Sequence, residues 1–209
     1  GNRIMTKADY GKSVRARLLN LAQKEKYDYQ LLLVRYIQER LLYRLSQSRF
    51  KHCFFLKGGA LLYAYERLKA RPTLDIDFLA DRINRDKNYI KIVFQEICSL
   101  ECQEDGVFFD TDTLEAKEIT INKEYHGVSV TVIAHLDSIK QFISIDIGFG
   151  DVIVPKAMSL DYPMLLDEIP EVNVMAYSLE TVVAEKFQAM ISLAGANSRM
   201  KDFFDVYNN

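Results

Sequence analysis

The sequence predicts an α/β (α+β) protein: one small mixed sheet flanked by helices, with a helical pair before it and a helical segment after it. Three observations carry this. Apolar residues recur every three or four positions near both ends, short β-branched or alternating runs fill the middle, and glycine or proline marks the junctions. A chain of 209 residues is long enough for one substantial core with a helical extension. Apolar and charged fractions of 49% and 27% are those of a globular protein, and four Pro and nine Gly leave no collagenous or low-complexity stretch. The expected division is a helical segment over 1–50, a core over 51–176 and a C-terminal helical segment over 177–209.

Residues 8–23 and 28–48 read as amphipathic helices, the second with Leu32, Tyr36, Leu42 and Leu45 on one stripe. His52 to Leu56 is an apolar run of strand length that stops at Lys57-Gly58-Gly59. A helix follows from Ala60 to about Lys69, broken at Arg71-Pro72-Thr73 because Pro72 restricts Arg71 and cannot continue a helix. Leu74 to Leu79 is the second strand, and 86–100 the next helix. Glu115 to Ile121, Val128 to Ala134 and Phe142 to Ile147 are strands, with Tyr125-His126-Gly127 as a turn. Gly148 and Gly150 end the last of these, and Val152 to Val154 resume it before Pro155. A strand near 172–175 precedes a helix from Ser178 to about Leu193, ended by Gly195, and Ser198 to Tyr207 starts another.

The N-terminus is polar and no apolar run approaches the ~20 residues a bilayer requires, so a cytoplasmic protein without membrane contact is expected. Cys53, Cys98 and Cys102 form no CxxC pair and the three histidines are scattered, which argues against zinc. Cys98 and Cys102, one helical turn apart in an apolar stretch, read as core. A formal net charge of −2 makes the whole molecule no magnet for nucleic acid. The first fifty residues nevertheless carry Lys7, Lys12, Arg15, Arg17, Lys24, Lys26, Arg35, Arg40, Arg44 and Arg49. That cluster is either a solvated helical face or an RNA-facing one.

Three features suggest chemistry. Gly58-Gly59 lies between a strand and a helix, where bare backbone approaches a ligand closely and free N–H groups meet phosphate oxygens. Alone, the pair is more often a tight turn. Asp75 and Asp77 flank Ile76 on a strand, so both carboxylates point the same way with Cα atoms about 7 Å apart. Two such acids repel each other unless cations neutralise them, and oxygen-only ligands suit Mg²⁺ or Mn²⁺. The alternative is a solvated edge strand. Asp146 sits among isoleucines in Ile143-Ser144-Ile145-Asp146-Ile147, where a lone buried carboxylate is costly. Beside the Asp75 strand it would complete a trio able to hold a metal pair.

Together the features resemble the nucleotidyltransferase superfamily whose core is like that of DNA polymerase β. Leu56-Lys57-Gly58-Gly59-Ala60-Leu61, Arg71-Pro72-Thr73-Leu74-Asp75-Ile76-Asp77 and Ile145-Asp146-Ile147-Gly148-Phe149-Gly150-Asp151 are more narrowly similar to the AbiEii toxin family. So are the stretches from Tyr177 to Lys186 and from Arg199 to Asp205, all in the expected order. The resemblance implies that Gly58 and Gly59 hold a triphosphate, with Lys57 and Thr73 beside it. It implies that Asp75, Asp77 and Asp146 bind Mg²⁺ (or Mn²⁺), Asp146 also acting on the acceptor hydroxyl. Lys186 is implied near the nucleotide phosphates and in catalysis, while Lys201 and Asp202 match an Arg-x-Lys-Asp motif of the cleft. Arg71 is a further phosphate-contact candidate. Gly59 stands where many superfamily members have serine, and relatives usually continue into more helices beyond the position of Asp205.

The implied function is transfer of a nucleoside monophosphate from an NTP to RNA, tRNA-like, by the toxin of an abortive-infection toxin–antitoxin pair whose antitoxin is a separate protein. Two other readings stand beside it. A small-molecule (aminoglycoside-like) nucleotidyltransferase would need an acidic pocket for its cationic substrate. A non-catalytic NTP-binding module would lack a complete acid trio.

Overall fold

The computed structural model describes residues 1–122, 125–150 and 157–196. Helix α1 (Lys7–Glu25) starts at a capping box: the Asp9 N–H donates to Thr6 Oγ1 and the Thr6 N–H to Asp9 Oδ2. Lys26, at φ 52°, turns the chain into α2 (Tyr29–Gln47), capped by Asp28 accepting from the Leu31 N–H at 2.9 Å. Strand β1 (Phe54–Lys57) runs into α3 (Gly58–Glu66), and β2 (Asp75–Ala80) follows a short strap. After α4 (Lys87–Ser99) come β3 (Val107–Asn122), β4 (Tyr125–Leu136), β5 (Ile139–Phe149), β6 (Met158–Tyr162), β7 (Val172–Ala176) and α5 (Leu179–Ala196).

The strands form a seven-stranded mixed sheet in the order β3-β4-β5-β2-β1-β7-β6. β2 and β5 run parallel, as do β1 and β7, and the other neighbours are antiparallel. One sheet face carries Ile76, Phe78, Ile143, Ile145, Ile147, Val128, Val130 and Val132, all buried. Helix α4 closes over it, with Phe94 edge-on to Phe54 at 5.3 Å and Phe54 edge-on to Phe78 at 5.7 Å. Leu32, Tyr36, Leu42 and Leu45 of α2 join the same core. Among the described residues no helix is long and apolar enough to cross a membrane.

Several expectations need correction. Tyr125, His126 and Gly127 open β4 instead of forming a turn, paired with Asn122, Thr120 and Ile119. β3 begins at Val107, eight residues before the alternation becomes regular, because a register shift separates Asp110 from Glu115. Met158–Tyr162 is an edge strand, and Gly195 lies within α5. The expected strand at Val152 to Val154 and helix from Ser198 to Tyr207 lie outside the described residues.

The basic N-terminal cluster divides. Arg35, Arg40 and Arg44 are buried, so they cannot face RNA. Arg44 forks onto Asp105 and donates to the Val107 carbonyl at 2.9 Å, while Arg40 lies 3.2 Å from Asp105 and 3.3 Å from Glu39. Burial pushes Glu39 up to about 7 against the pull of Arg40. Lys7, Lys12, Lys24, Lys26 and Arg49 are exposed.

Candidate active site

One wall of the site is built where β1 ends. Gly58 takes φ +66°, and a β-carbon there would collide with Oδ2 of Asp77, so both conformation and space demand glycine. A β-carbon on Gly59 would stand 2.9 Å from Cβ of Thr73, so the Thr73 side chain fills the place a serine would need. Thr73 is fixed from two directions: its hydroxyl donates to the Asp75 carbonyl at 2.9 Å, and Gln38 of α2 donates to the Thr73 carbonyl at 2.9 Å. Arg35 holds the same strap by donating to the Ala70 carbonyl at 2.7 Å. The buried polar residues of α2 thus shape the wall of a cleft of about 440 Å³ lined by Gly59, Glu66, Arg71, Thr73, Asp75 and Lys186. Lys186 reaches it from α5 and is exposed.

The carboxylates meet through sheet register. Asp77 on β2 pairs with Asp146 on the parallel β5, and Asp75 with Ser144. Adjacent strands lie about 4.8 Å apart and strand residues two apart about 7 Å, so three acids share one patch of one sheet face. All are half-buried, and Lys57 on β1 stands opposite Asp77. Burial first, then the charge of Asp146, pushes Asp77 up to about 6, with Lys57 pulling down and Asp75 up. Asp146 is also raised, by burial and then Asp75, while the Ser129 hydroxyl and the Lys117 charge oppose the rise.

Among the described residues no three His, Cys, Asp or Glu side chains are grouped tightly enough to hold a metal ion as they stand. The donor set still fits a hard divalent cation: it is all oxygen, its acids raise each other's proton affinity, and a cation would relieve that repulsion.

Of the expected site residues, Lys57, Gly58, Thr73, Asp75, Asp77 and Asp146 come together where the central strands β1, β2 and β5 lie side by side, and Gly59 and Lys186 line the adjoining cleft. Lys201 and Asp202 lie outside the described residues. Sequence reasoning missed Ser129, 6% exposed and bonded to Asp146, and Lys117 beyond it. Their only signal is alternation along β4 and β3, which cannot say which strand they lie against.

The family described as nucleotidyl transferase AbiEii toxin, type IV TA system, matches residues 40–208. The chain belongs to this family. The AbiEii match takes in the end of α2 from residue 40, the whole sheet and α5, and so every residue lining the cleft, whereas Arg35 and Gln38 precede it. Among solved structures, a candidate nucleotidyltransferase from H. pylori is similar at 14% identity and a TM-score of 0.45, over 76% of this chain and 58% of that one. JHP933 from Helicobacter pylori is similar at 12% identity and a TM-score of 0.44, over 76% and 56%. This chain therefore spans less than three fifths of the length of either. Curated proteins give no match.

Proposed function

We propose that this AbiEii-family chain transfers a nucleoside monophosphate from an NTP to RNA, as a toxin held in check by a separate antitoxin protein. The observation that carries the reading is the pairing of Asp77 with Asp146 on adjacent parallel strands, with Gly58 packed against Asp77 at the start of α3. The bare Gly58-Gly59 backbone and the N–H groups of α3 take the triphosphate, helped by Lys57, Thr73 and Lys186. Asp75, Asp77 and Asp146 hold Mg²⁺ or Mn²⁺, which when bound neutralises charge on the triphosphate and the attacking oxygen. Asp146 accepts the proton of the acceptor hydroxyl, its raised proton affinity suiting a general base. The acceptor oxygen bonds to the α-phosphorus, the bond from that phosphorus to the bridging oxygen breaks, and pyrophosphate leaves with the electron pair. Lys201 and Asp202 are assigned to the nucleotide and to catalysis by the family motif.

The test is incubation of purified protein with each α-labelled NTP, Mg²⁺ and total RNA. Label enters RNA with the wild-type chain and not with Asp75→Asn, which retains its circular dichroism and melting. Label on an aminoglycoside and none in RNA would instead select a small-molecule acceptor. NTP binding with no transfer to either would leave a binding module.

A further inference from the structure

The donor cleft lies on one side of the carboxylates; on the other, β5, β4 and β3 continue the same sheet face. Register sets two rows across it: Asp146, Ser129 and Lys117, then Ser144, Thr131 and Glu115. One step further along β5 stands Phe142, opposite Ile133 and 60% exposed. Alternation puts Lys140, Phe142, Ser144 and Asp146 on this face, while Ile143, Ile145 and Ile147 are fully buried on the other. Among the described residues the β3–β4–β5 part of the sheet is thus closed on one side and open on the other, and the open side carries an aromatic ring that the core does not use.

We propose that the open face of β3–β4–β5 is the bed for a single-stranded polynucleotide acceptor. Phe142 stacks a base, Lys117 and Lys140 face the phosphates, and the terminal hydroxyl reaches Asp146. This rests on reading the carboxylates as a nucleotidyl-transfer centre and names how its acceptor is recognised. Exposed aromatics on a sheet are a general means of stacking unpaired bases, and lysine supplies a point charge for phosphate oxygens. The bed is continuous with the centre: Phe142 lies about 13 Å along the strand from Asp146, and Lys117 two strands away, about 10 Å at Cα. Two acids share this face: Glu115 in the Ser144 row, and Asp110 in the Phe142 row, where it accepts from the Asp112 N–H at 3.1 Å. A cationic small acceptor would meet both lysines on its way to Asp146.

The probe is a fluorescein-labelled single-stranded oligoribonucleotide with a free 3′-hydroxyl, followed by anisotropy on the full chain at several salt concentrations. Phe142→Ser weakens binding about tenfold and Phe142→Leu nearly as much, whereas Phe142→Tyr retains it, because stacking and not bulk is lost. Lys117→Ala with Lys140→Ala lowers the slope of log affinity against log salt by about 1.4, since each phosphate contact on a single strand contributes about 0.7. In transfer assays Phe142→Ser and Phe142→Leu raise the KM for RNA with kcat and NTP affinity little changed. Unchanged oligonucleotide affinity in a folded Phe142→Ser chain overturns the proposal. So does a Phe142→Ser chain that turns a dimer into a monomer without losing affinity, which gives the face to a second copy. A wild-type chain that binds through Phe142 yet moves no label from any NTP keeps the bed and overturns the transfer chemistry instead.

Discussion

Gly58 and Asp77 share one small volume, so that a β-carbon on the glycine would occupy the place of the aspartate's Oδ2. Substitution at Gly58 therefore disturbs a carboxylate as well as a turn. Gly58→Ala must also hold φ near +66°, a conformation that costs an L-residue about 1–2 kcal/mol. The expected outcome is a destabilisation of that order in urea unfolding, together with loss of NTP binding by calorimetry. Wild-type NTP affinity in this variant would remove the glycine turn from the donor site.

A second prediction follows from proton linkage at Asp77. Its folded value of about 6 exceeds the ordinary 3.8, so the folded state prefers the protonated carboxyl. That contribution to stability is full below about 4 and is lost as pH rises through about 6. A divalent cation binds the ionised form and offsets the loss. The melting-temperature gain from Mg²⁺ over EDTA should therefore grow between pH 5 and pH 7, on the order of the interval set by carboxylate titration. Asp77→Asn should melt no lower than wild type in EDTA at pH 8 and show little gain from Mg²⁺. A gain from Mg²⁺ that is equal at pH 5 and pH 7 would place the cation elsewhere.

Local pattern made much of this legible. The periods of α1 and α2, the apolar run of β1, and the alternation that puts Asp75 and Asp77 on one side of β2 all reside in short stretches of chain. What joins Asp77 to Asp146 does not: their pairing depends on a parallel register between residues 69 apart in the chain, and in the sequence only the family resemblance links them. Ser129 and Lys117 enter through the same long-range register, and so does the open face bearing Phe142. The arginines of α2 misled for a different reason. A charge on a helix is usually solvated, but Arg40 and Arg44 are held by Asp105, which is far from them in sequence and buried with them. The alternation marks only the later part of β3, because the register shift after Asp110 interrupts it.

Those arginines yield a third prediction. Asp105 is the carboxylate shared by Arg40 and Arg44, and all three are fully buried or nearly so. Asp105→Ala leaves Arg44 without an acid and Arg40 with Glu39 alone, and removing one partner of a buried pair costs about 3–5 kcal/mol. Urea unfolding should register that loss. Charge reversal at Arg40 or Arg44 should lower the yield of folded protein, and should not give a folded chain whose RNA transfer alone is impaired.

The last prediction concerns Gly59 and Thr73, and it uses a double substitution to separate space from chemistry. Gly59→Ser places a β-carbon 2.9 Å from Cβ of Thr73, closer than real β-carbons approach, so either the start of α3 or the 70–73 strap must move. The strap has little freedom, because Gln38 and Arg35 hold its carbonyls from α2 and the Thr73 hydroxyl is bonded to the Asp75 carbonyl. Gly59→Ser alone should weaken NTP binding by displacing Asp75 and the glycine turn relative to one another. Thr73→Gly alone should weaken it too, through loss of the bond that fixes Asp75. Combined, the two changes exchange the threonine side chain for the serine in the same space, and NTP affinity should recover beyond the sum of the single losses. Calorimetric titration of the four chains with one NTP and Mg²⁺ measures the coupling; strictly additive losses would mean that the serine was excluded for some reason other than the room Thr73 occupies.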